Sequence, residues 1–298
     1  MTRRAIAFAF LAFFPLLSTA QSLPLKAKPD APDGPPFVSA KAWIAVDGAT
    51  GKVLGGDSQA EARPMASTSK IMTAWIVLKL AADDAKVFDE TITYSERAAK
   101  TVGSSAKLNA GEKVSVRELL YGLLLPSGND AAVAFAEHFG SRFGKDADGE
   151  PLLRFVNEMN RRAKELGLKE MSYRDPNGLS PQNVSSVRDL ATLAREALKD
   201  EAFRKYVSTR HYEGSITDSG GNKRKAVWTN TNKLLDIEGY EGVKTGTTTP
   251  AGNCLVASCK RGEDRVIVVV LGSTSADGRY IDARNLFRWA WHEKASGK

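Results

Sequence analysis

Hydrophobic positions recur along this chain in two periods, and the change from one to the other divides it. Near the start, short strand-like runs from Ala42 to Val46 and from Lys52 to Leu54 flank Asp47-Gly48-Ala49-Thr50-Gly51, a hairpin signal. Helical patterns then dominate to about Lys199. Ile71, Met72, Trp75, Ile76 and Leu78 recur at intervals of three and four, which predicts a helix over Thr68 to Leu80 with one buried face. Ser115-Val116-Arg117-Glu118 is a capping-box pattern opening an apolar run from Leu119 to Leu125. Pro126 ends that run, and a second helical pattern starts near Asp130 with Ala132, Val133, Phe135 and Ala136. Pro151 to Leu166, and a segment opened by Ser186-Val187-Arg188-Asp189, read as further helices. Beyond them the strand pattern returns at Gly242 to Gly246 and continues in the apolar run Cys254 to Cys259. A polar turn from Lys260 to Asp264 then leads into the β-forming run Arg265 to Gly272. Tyr280 to His292 reads as a terminal amphipathic helix covering the sheet. The pattern predicts one α+β domain, a mostly antiparallel sheet with a helical lobe and a cleft between them. No repeat or low-complexity block interrupts it.

Composition sets the boundaries of that domain. Met1 to Ala20 has a basic start at Arg3 and Arg4, an apolar core from Ala5 to Leu17, and small residues at Ser18 and Ala20, the pattern of a secretory signal peptide. Its apolar run is short for a membrane span, and Pro15 interrupts it. Gln21 to Pro36, with five prolines, reads as a flexible lead, so a single folded domain is expected over residues 37–298 of an exported protein, in the periplasm or the extracellular or cell-wall space. The formal charge of the whole chain is +7, two units of which come from the arginines of the leader. A mildly basic surface of this kind is compatible with anionic wall polymers or with simple solvation, and no motif supports nucleic-acid binding. The two cysteines, Cys254 and Cys259, fall in one predicted strand and point to opposite faces. Extended chain would separate them by roughly 17 Å, so free, partly buried thiols are expected. The three histidines, His138, His211 and His292, lack metal-ligand spacing, and the acidic run from Asp146 to Glu150 lacks the calcium-loop pattern; no metal or other cofactor is expected.

Three short polar motifs carry the candidate chemistry: Ser67-Thr68-Ser69-Lys70, Ser127-Gly128-Asn129 and Lys244-Thr245-Gly246. A serine hydroxyl is a weak nucleophile at neutral pH and needs an adjacent base. A lysine three positions later on a helix lies one turn away on the same face, so Lys70 can reach Ser67. At the start of a helix, Ser67 would also sit among free N–H groups that favour a developing anion. To accept a proton, Lys70 must be neutral, which requires burial or a nearby positive charge, and Lys244 is a candidate for that charge. Each motif has a plainer reading: Ser67 as a helix N-cap, Ser127-Gly128-Asn129 as a turn, and Lys244-Thr245-Gly246 as a strand end. Their order and setting, at a helix start, at a turn between two helices and on a strand, describe a three-walled site for acyl transfer through a serine ester.

These residues resemble the serine D-alanyl-D-alanine carboxypeptidases, the low-molecular-mass penicillin-binding proteins that trim peptidoglycan stem peptides. The similarity extends beyond the triplets. Arg63-Pro64-Met65-Ala66-Ser67-Thr68-Ser69-Lys70-Ile71-Met72-Thr73 resembles the family's nucleophile segment, and Leu123-Leu124-Leu125-Pro126-Ser127-Gly128-Asn129-Asp130-Ala131-Ala132 its second motif. Asp175-Pro176-Asn177-Gly178-Leu179 and Gly252-Asn253-Cys254-Leu255-Val256-Ala257-Ser258 are also similar to family segments, so the resemblance covers about residues 38 to 292. It implies a β-lactamase/DD-peptidase-like fold, an acyl-enzyme on Ser67, Lys70 as general base, and Ser127 as proton relay to the leaving D-alanine. It further implies that Asn129 contacts the peptide, that Lys244 and Thr245 bind its terminal carboxylate, and that the N–H groups of Ser67 and Thr247, beside Gly246, form the oxyanion hole. Peptidoglycan stem peptides are then the substrates and β-lactam antibiotics the covalent inhibitors. Arg279 has two readings, a second cation for the carboxylate or a surface arginine opening the last helix.

Many family members continue into a β-rich domain and an amphipathic membrane helix. Here only Glu293 to Lys298 follow the terminal helix, so no stable membrane anchor is expected. The shortened form also resembles D-alanyl-D-alanine endopeptidases that cut cross-links, the second reading of the activity. A class A β-lactamase would need a glutamate to activate the deacylating water. Glutamates such as Glu158 lie in predicted helices without that loop motif. A non-catalytic wall-binding module is disfavoured by the intact Ser67, Lys70 and Ser127.

Overall fold

The computed structural model describes residues 34–145 and 149–296. The expected leader, most of the proline-rich lead and the core of the acidic run lie outside these residues. In chain order the elements are β1 (Ala42–Asp47), β2 (Val53–Asp57), β3 (Arg63–Pro64), α1 (Lys70–Asp83), β4 (Thr91–Thr93), α2 (Glu96–Ala99), β5 (Lys113–Ser115), α3 (Val116–Leu124), α4 (Asn129–Phe139) and α5 (Pro151–Glu165). They continue with β6 (Val184–Ser185), α6 (Val187–Ala197), α7 (Glu201–Ser208), β7 (His211–Thr217), β8 (Lys223–Thr229), β9 (Tyr240–Thr248), β10 (Gly252–Arg261), β11 (Asp264–Ser273) and α8 (Gly278–Ala295).

The main sheet is antiparallel, in the order β2-β1-β11-β10-β9, so the first and last strands of the chain meet at its centre. On β11 every residue from Val266 to Leu271 is buried, because the strand is covered on both faces. Ile267, Val269 and Leu271 join the core under the helical lobe, while Val266, Val268 and Val270 meet Ala283, Leu286, Phe287 and Ala290 of α8. Cys254 and Cys259 divide between the same two cores, as their spacing predicts, but both thiols are buried outright rather than partly. No helix among the described residues is long and apolar enough to cross a membrane.

Two features depart from the sequence reading. The predicted one-faced helix is buried all round from Lys70 to Leu78, because α3, α4, α5, α6 and α7 all pack around α1. A second antiparallel sheet, β4-β5-β7-β8, runs through the helical lobe. Its β7–β8 hairpin buries Gly214, Ile216, Ala226 and Trp228 on one face. The Trp228 indole donates to the Ala106 carbonyl at 2.8 Å, which ties this sheet to the loop beside α4. The predicted caps hold: the Ser115 hydroxyl accepts from the Glu118 N–H and the Ser186 hydroxyl from the Asp189 N–H.

Candidate active site

Ser67 lies in a 3-10 turn, Ala66–Ser69, just before α1, rather than in the α-helix itself. Two neighbours fasten this turn, Thr68 Oγ1 donating to the Met65 carbonyl and Ser69 Oγ to the Ala66 carbonyl. The Ser67 hydroxyl makes no such cap; it accepts from Lys70 Nζ at 2.9 Å. From Met65 to Leu78 it is the one residue that is not buried, so the chain offers a single hydroxyl to the cleft from an otherwise sealed segment.

Two glycines let other elements close on this turn. A Cβ on Gly246 would lie 2.9 Å from the Ser67 nitrogen, so β9 runs directly against the Ser67 backbone. At Gly178, φ is +88° and a Cβ would meet the Ala66 carbonyl oxygen at 2.1 Å. Only glycine fits there. The turn that Gly178 closes is built by Asp175, whose carboxylate accepts the N–H groups of Asn177 and Gly178, and it is pinned to α1 by Thr73 Oγ1 donating to the Pro176 carbonyl. Asn183, fully buried, holds the same turn by donating to the Asp175 carbonyl and accepting from the Arg174 N–H.

The result is a cage for Lys70. Its ammonium donates to Ser67 Oγ at 2.9 Å, to Asn129 Oδ1 at 2.7 Å and to the Asn177 carbonyl at 2.6 Å. Burial lowers the pKa of Lys70 to about 7, against the opposing pull of Asp175 and Asp130. Burial, rather than Lys244, is thus what neutralises it. Asn129 Nδ2 donates to the Val102 carbonyl, so both ends of this carboxamide are engaged within the protein and it orients the lysine. Each end keeps one further valence, the second N–H of Nδ2 and the second lone pair of Oδ1, for the peptide contact that the resemblance implies. Ser127 occupies the turn between α3 and α4 with φ +66°, a left-handed conformation that costs a serine energy and is found at functional turns. Asp130 steadies this wall by accepting from the Ala106 N–H and the Ser105 hydroxyl.

The third wall is β9 with the start of α8. Lys244 is fully buried and donates to the Thr245 carbonyl at 2.9 Å. Its pKa is held well below that of a free lysine, by burial first and then by the charges of Lys70 and Arg279. Thr245 Oγ1 lies 2.7 Å from Thr231 Oγ1, and Thr247 is exposed at the rim. Arg279 is not a surface residue: its guanidinium is buried behind β9, donating to Thr247 Oγ1 at 2.9 Å and to the Gly246 carbonyl at 3.3 Å. Its Nε has no partner among the described residues. Glu158, by contrast, is held on α5 by Arg161 and Arg162. The groups that accept from Lys70 are one hydroxyl and two carbonyl oxygens, with the carboxylates of Asp175 and Asp130 further off.

Sequence reasoning gave no role to the Asn177 carbonyl, to Asp175 or to Asn183. The Asp-Pro-Asn-Gly turn signature was visible, but a backbone carbonyl leaves no side-chain signal of its own.

Residues 29–275 match the D-alanyl-D-alanine carboxypeptidase family of serine peptidases. Among curated relatives, the D-alanyl-D-alanine carboxypeptidase of Streptomyces sp. (strain K15) is 38% identical over 86% of this chain and 88% of its own length. DacF of Bacillus subtilis is 37% identical over 85% of this chain and 62% of its own length, so the present chain spans under two thirds of that relative. Among solved structures, the Streptomyces K15 DD-transpeptidase superposes with a TM-score of 0.81 at 36% identity, over 87% of this chain and 99% of that one. The D-alanyl-D-alanine carboxypeptidase DacD from Francisella tularensis superposes with a TM-score of 0.76 at 29% identity, over 93% and 76%. With the nucleophile turn, the lysine cage and the cationic strand all in one cleft, the chain belongs to the D-alanyl-D-alanine carboxypeptidase family, serine peptidases acting on peptidoglycan.

Proposed function

We propose that this chain is an exported enzyme whose single catalytic domain removes the terminal D-alanine from peptidoglycan stem peptides through an ester on Ser67. The observation that carries the mechanism is the chemistry of Lys70's three partners. A neutral amine has two N–H groups and one lone pair, and the oxygens of the Asn129 carboxamide and the Asn177 carbonyl can only accept. The two N–H groups therefore stay directed at those oxygens, and the lone pair faces the Ser67 hydroxyl. Lys70 takes the Ser67 proton as Oγ attacks the carbonyl carbon, and the oxyanion forms at the N–H groups of Ser67 and Thr247. Such donors contribute about 2.7–4 kcal/mol each in related chemistry. As the oxyanion collapses and the C–N bond breaks, Ser127 passes a proton to the departing D-alanine amine and regains one from Lys70, while Lys244, Thr245 and Arg279 hold its carboxylate. Water releases the shortened peptide from Ser67. β-Lactams, which present a reactive carbonyl and a carboxylate, acylate the same serine.

The experiment is covalent labelling. Intact-mass measurement after exposure to penicillin should show one adduct on the wild type and none on Ser67→Ala, which also loses D-alanine release while keeping its fold. An adduct on the variant removes Ser67 from the mechanism. The likeness to a protein described as a DD-transpeptidase, over almost all of its length, favours a second reading in which an amine replaces water as acceptor. Transfer of the acyl group to added glycine in preference to hydrolysis would establish it.

A further inference from the structure

Outside the cleft, the outer side of α8 and the end of β10 gather three arginines. Arg284 and Arg288 stand four positions apart on α8, both exposed, and Arg261 ends β10 with its guanidinium 5.0 Å from the centre of the Trp291 ring. Trp291, which Arg261 covers, lies one turn beyond Arg288 on the same helix, and Arg288 donates to the Asn285 side chain. Tyr240 packs edge-on against Phe287 of α8 at 5.2 Å, and the charges of Arg284, Arg261 and Arg288 all lower its hydroxyl's pKa against the effect of burial.

Among the described residues none of the three forms an ion pair with a carboxylate. The acidic groups of the neighbouring elements have other partners: Glu241 pairs with Arg265, Glu263 with Lys260, and Glu293 lies 3.8 Å from His292. Like charges one helical turn apart repel and weaken a helix. Without an external anion, this arrangement is a local cost to α8.

We propose that this stripe binds a linear polyanion carrying phosphate groups. Four residues of helix advance about 6 Å, so Arg284 and Arg288 stand one turn apart on α8, close enough to engage one phosphate-bearing chain together. Guanidinium forks match phosphate oxygens in two-pronged hydrogen bonds. A bilayer is the poorer partner, because the exposed apolar residue nearest in sequence on the helix is Ile281, one turn before the stripe, and the stripe itself offers no side chain for insertion. Arg279, bonded to the Gly246 carbonyl and Thr247 of β9, precedes Arg284 by five residues, about 8 Å along the helix, so a polymer on the stripe lies beside the active site without filling it. Binding would hold the enzyme on its polymer matrix while the cleft works.

The test uses the full chain and long-chain inorganic polyphosphate, followed by titration calorimetry from low to physiological salt. Wild type should bind with an affinity that falls steeply with salt. Arg261→Gln/Arg284→Gln/Arg288→Gln should bind at least tenfold more weakly, with a shallower salt slope by about one for each arginine removed. Its kcat/KM on a short stem peptide should be unchanged, since none of these residues is in the cleft. A control variant, Lys52→Gln/Lys86→Gln/Lys223→Gln, loses the same net charge elsewhere and should bind as wild type does. Equal loss in the two variants, unaltered binding by the arginine variant, or binding to phosphatidylglycerol vesicles but not to polyphosphate would each overturn the proposal.

Discussion

Lys70 and Lys244 are both fully buried, yet their surroundings are opposite in kind. Around Lys70 the protein supplies three oxygen acceptors and, further off, the carboxylates of Asp175 and Asp130. Around Lys244 it supplies one carbonyl and the charges of two other cations. Burial disfavours both ammonium groups. The difference lies in what each needs in order to be satisfied. Lys70 is complete without a ligand, and with its pKa near 7 it can stand neutral near neutral pH, ready in the proposed mechanism to take the Ser67 proton as Oγ attacks. Lys244 is not complete. In the same proposal a substrate carboxylate supplies the anion that its ammonium lacks. On that reading one region serves as a base and the other as a receptor.

The largest expected effect separates the two roles outright. Lys70→Arg keeps a positive charge but cannot give up its proton, so acylation should fall by roughly 10²- to 10⁴-fold on acid and amidated substrates alike. Near-normal acylation would remove the base from the first region. The receptor predicts a narrower loss. Lys244→Ala and Arg279→Ala should each lower kcat/KM roughly ten- to a hundred-fold on a peptide with a free D-alanine terminus, and much less on its C-terminal amide. If Arg279→Ala loses as much on the amide as on the acid, its guanidinium supports β9 and not the carboxylate. A smaller effect sharpens the account of the cage. Gly178→Ala forces the Asp175 turn off the Ala66 carbonyl and moves the Asn177 oxygen from Lys70, so acylation should fall about tenfold with a stability loss of about 1–3 kcal/mol. Unchanged acylation and an unchanged melting temperature would show that the turn does not position the lysine.

The parts of the site legible in the sequence are those written in side chains over short spans. Ser115 and Ser186 announce their helices through local hydrogen bonds, and the valine run of β11 announces a strand covered on both faces. The pairing of Ser67 with Lys70 follows from helical spacing. What escaped is set by packing between distant segments. The 3-10 turn at Ser67 depends on Ala66 at φ +48° and on Gly178 and Gly246 pressing from other elements. Lys244 was a candidate cause of the low Lys70 pKa, but burial from all sides, which no local pattern encodes, does that work. The second sheet was missed because β4 and β5 are three residues each, and because the seven-residue β7 and β8 place Gly214 and Ala226 at inward positions, which blurs their alternation.

In the proposed mechanism Lys70 is a base because the fold buries it inside a cage of acceptors. The most direct test is the rate constant for acylation of Ser67 by penicillin, measured by stopped flow from about pH 5 to pH 9. Acylation should rise with pH through an apparent pKa of about 7, as Lys70 loses its proton. A rate that is flat across this range, or that begins to rise only near the pKa of a free lysine, would contradict the account.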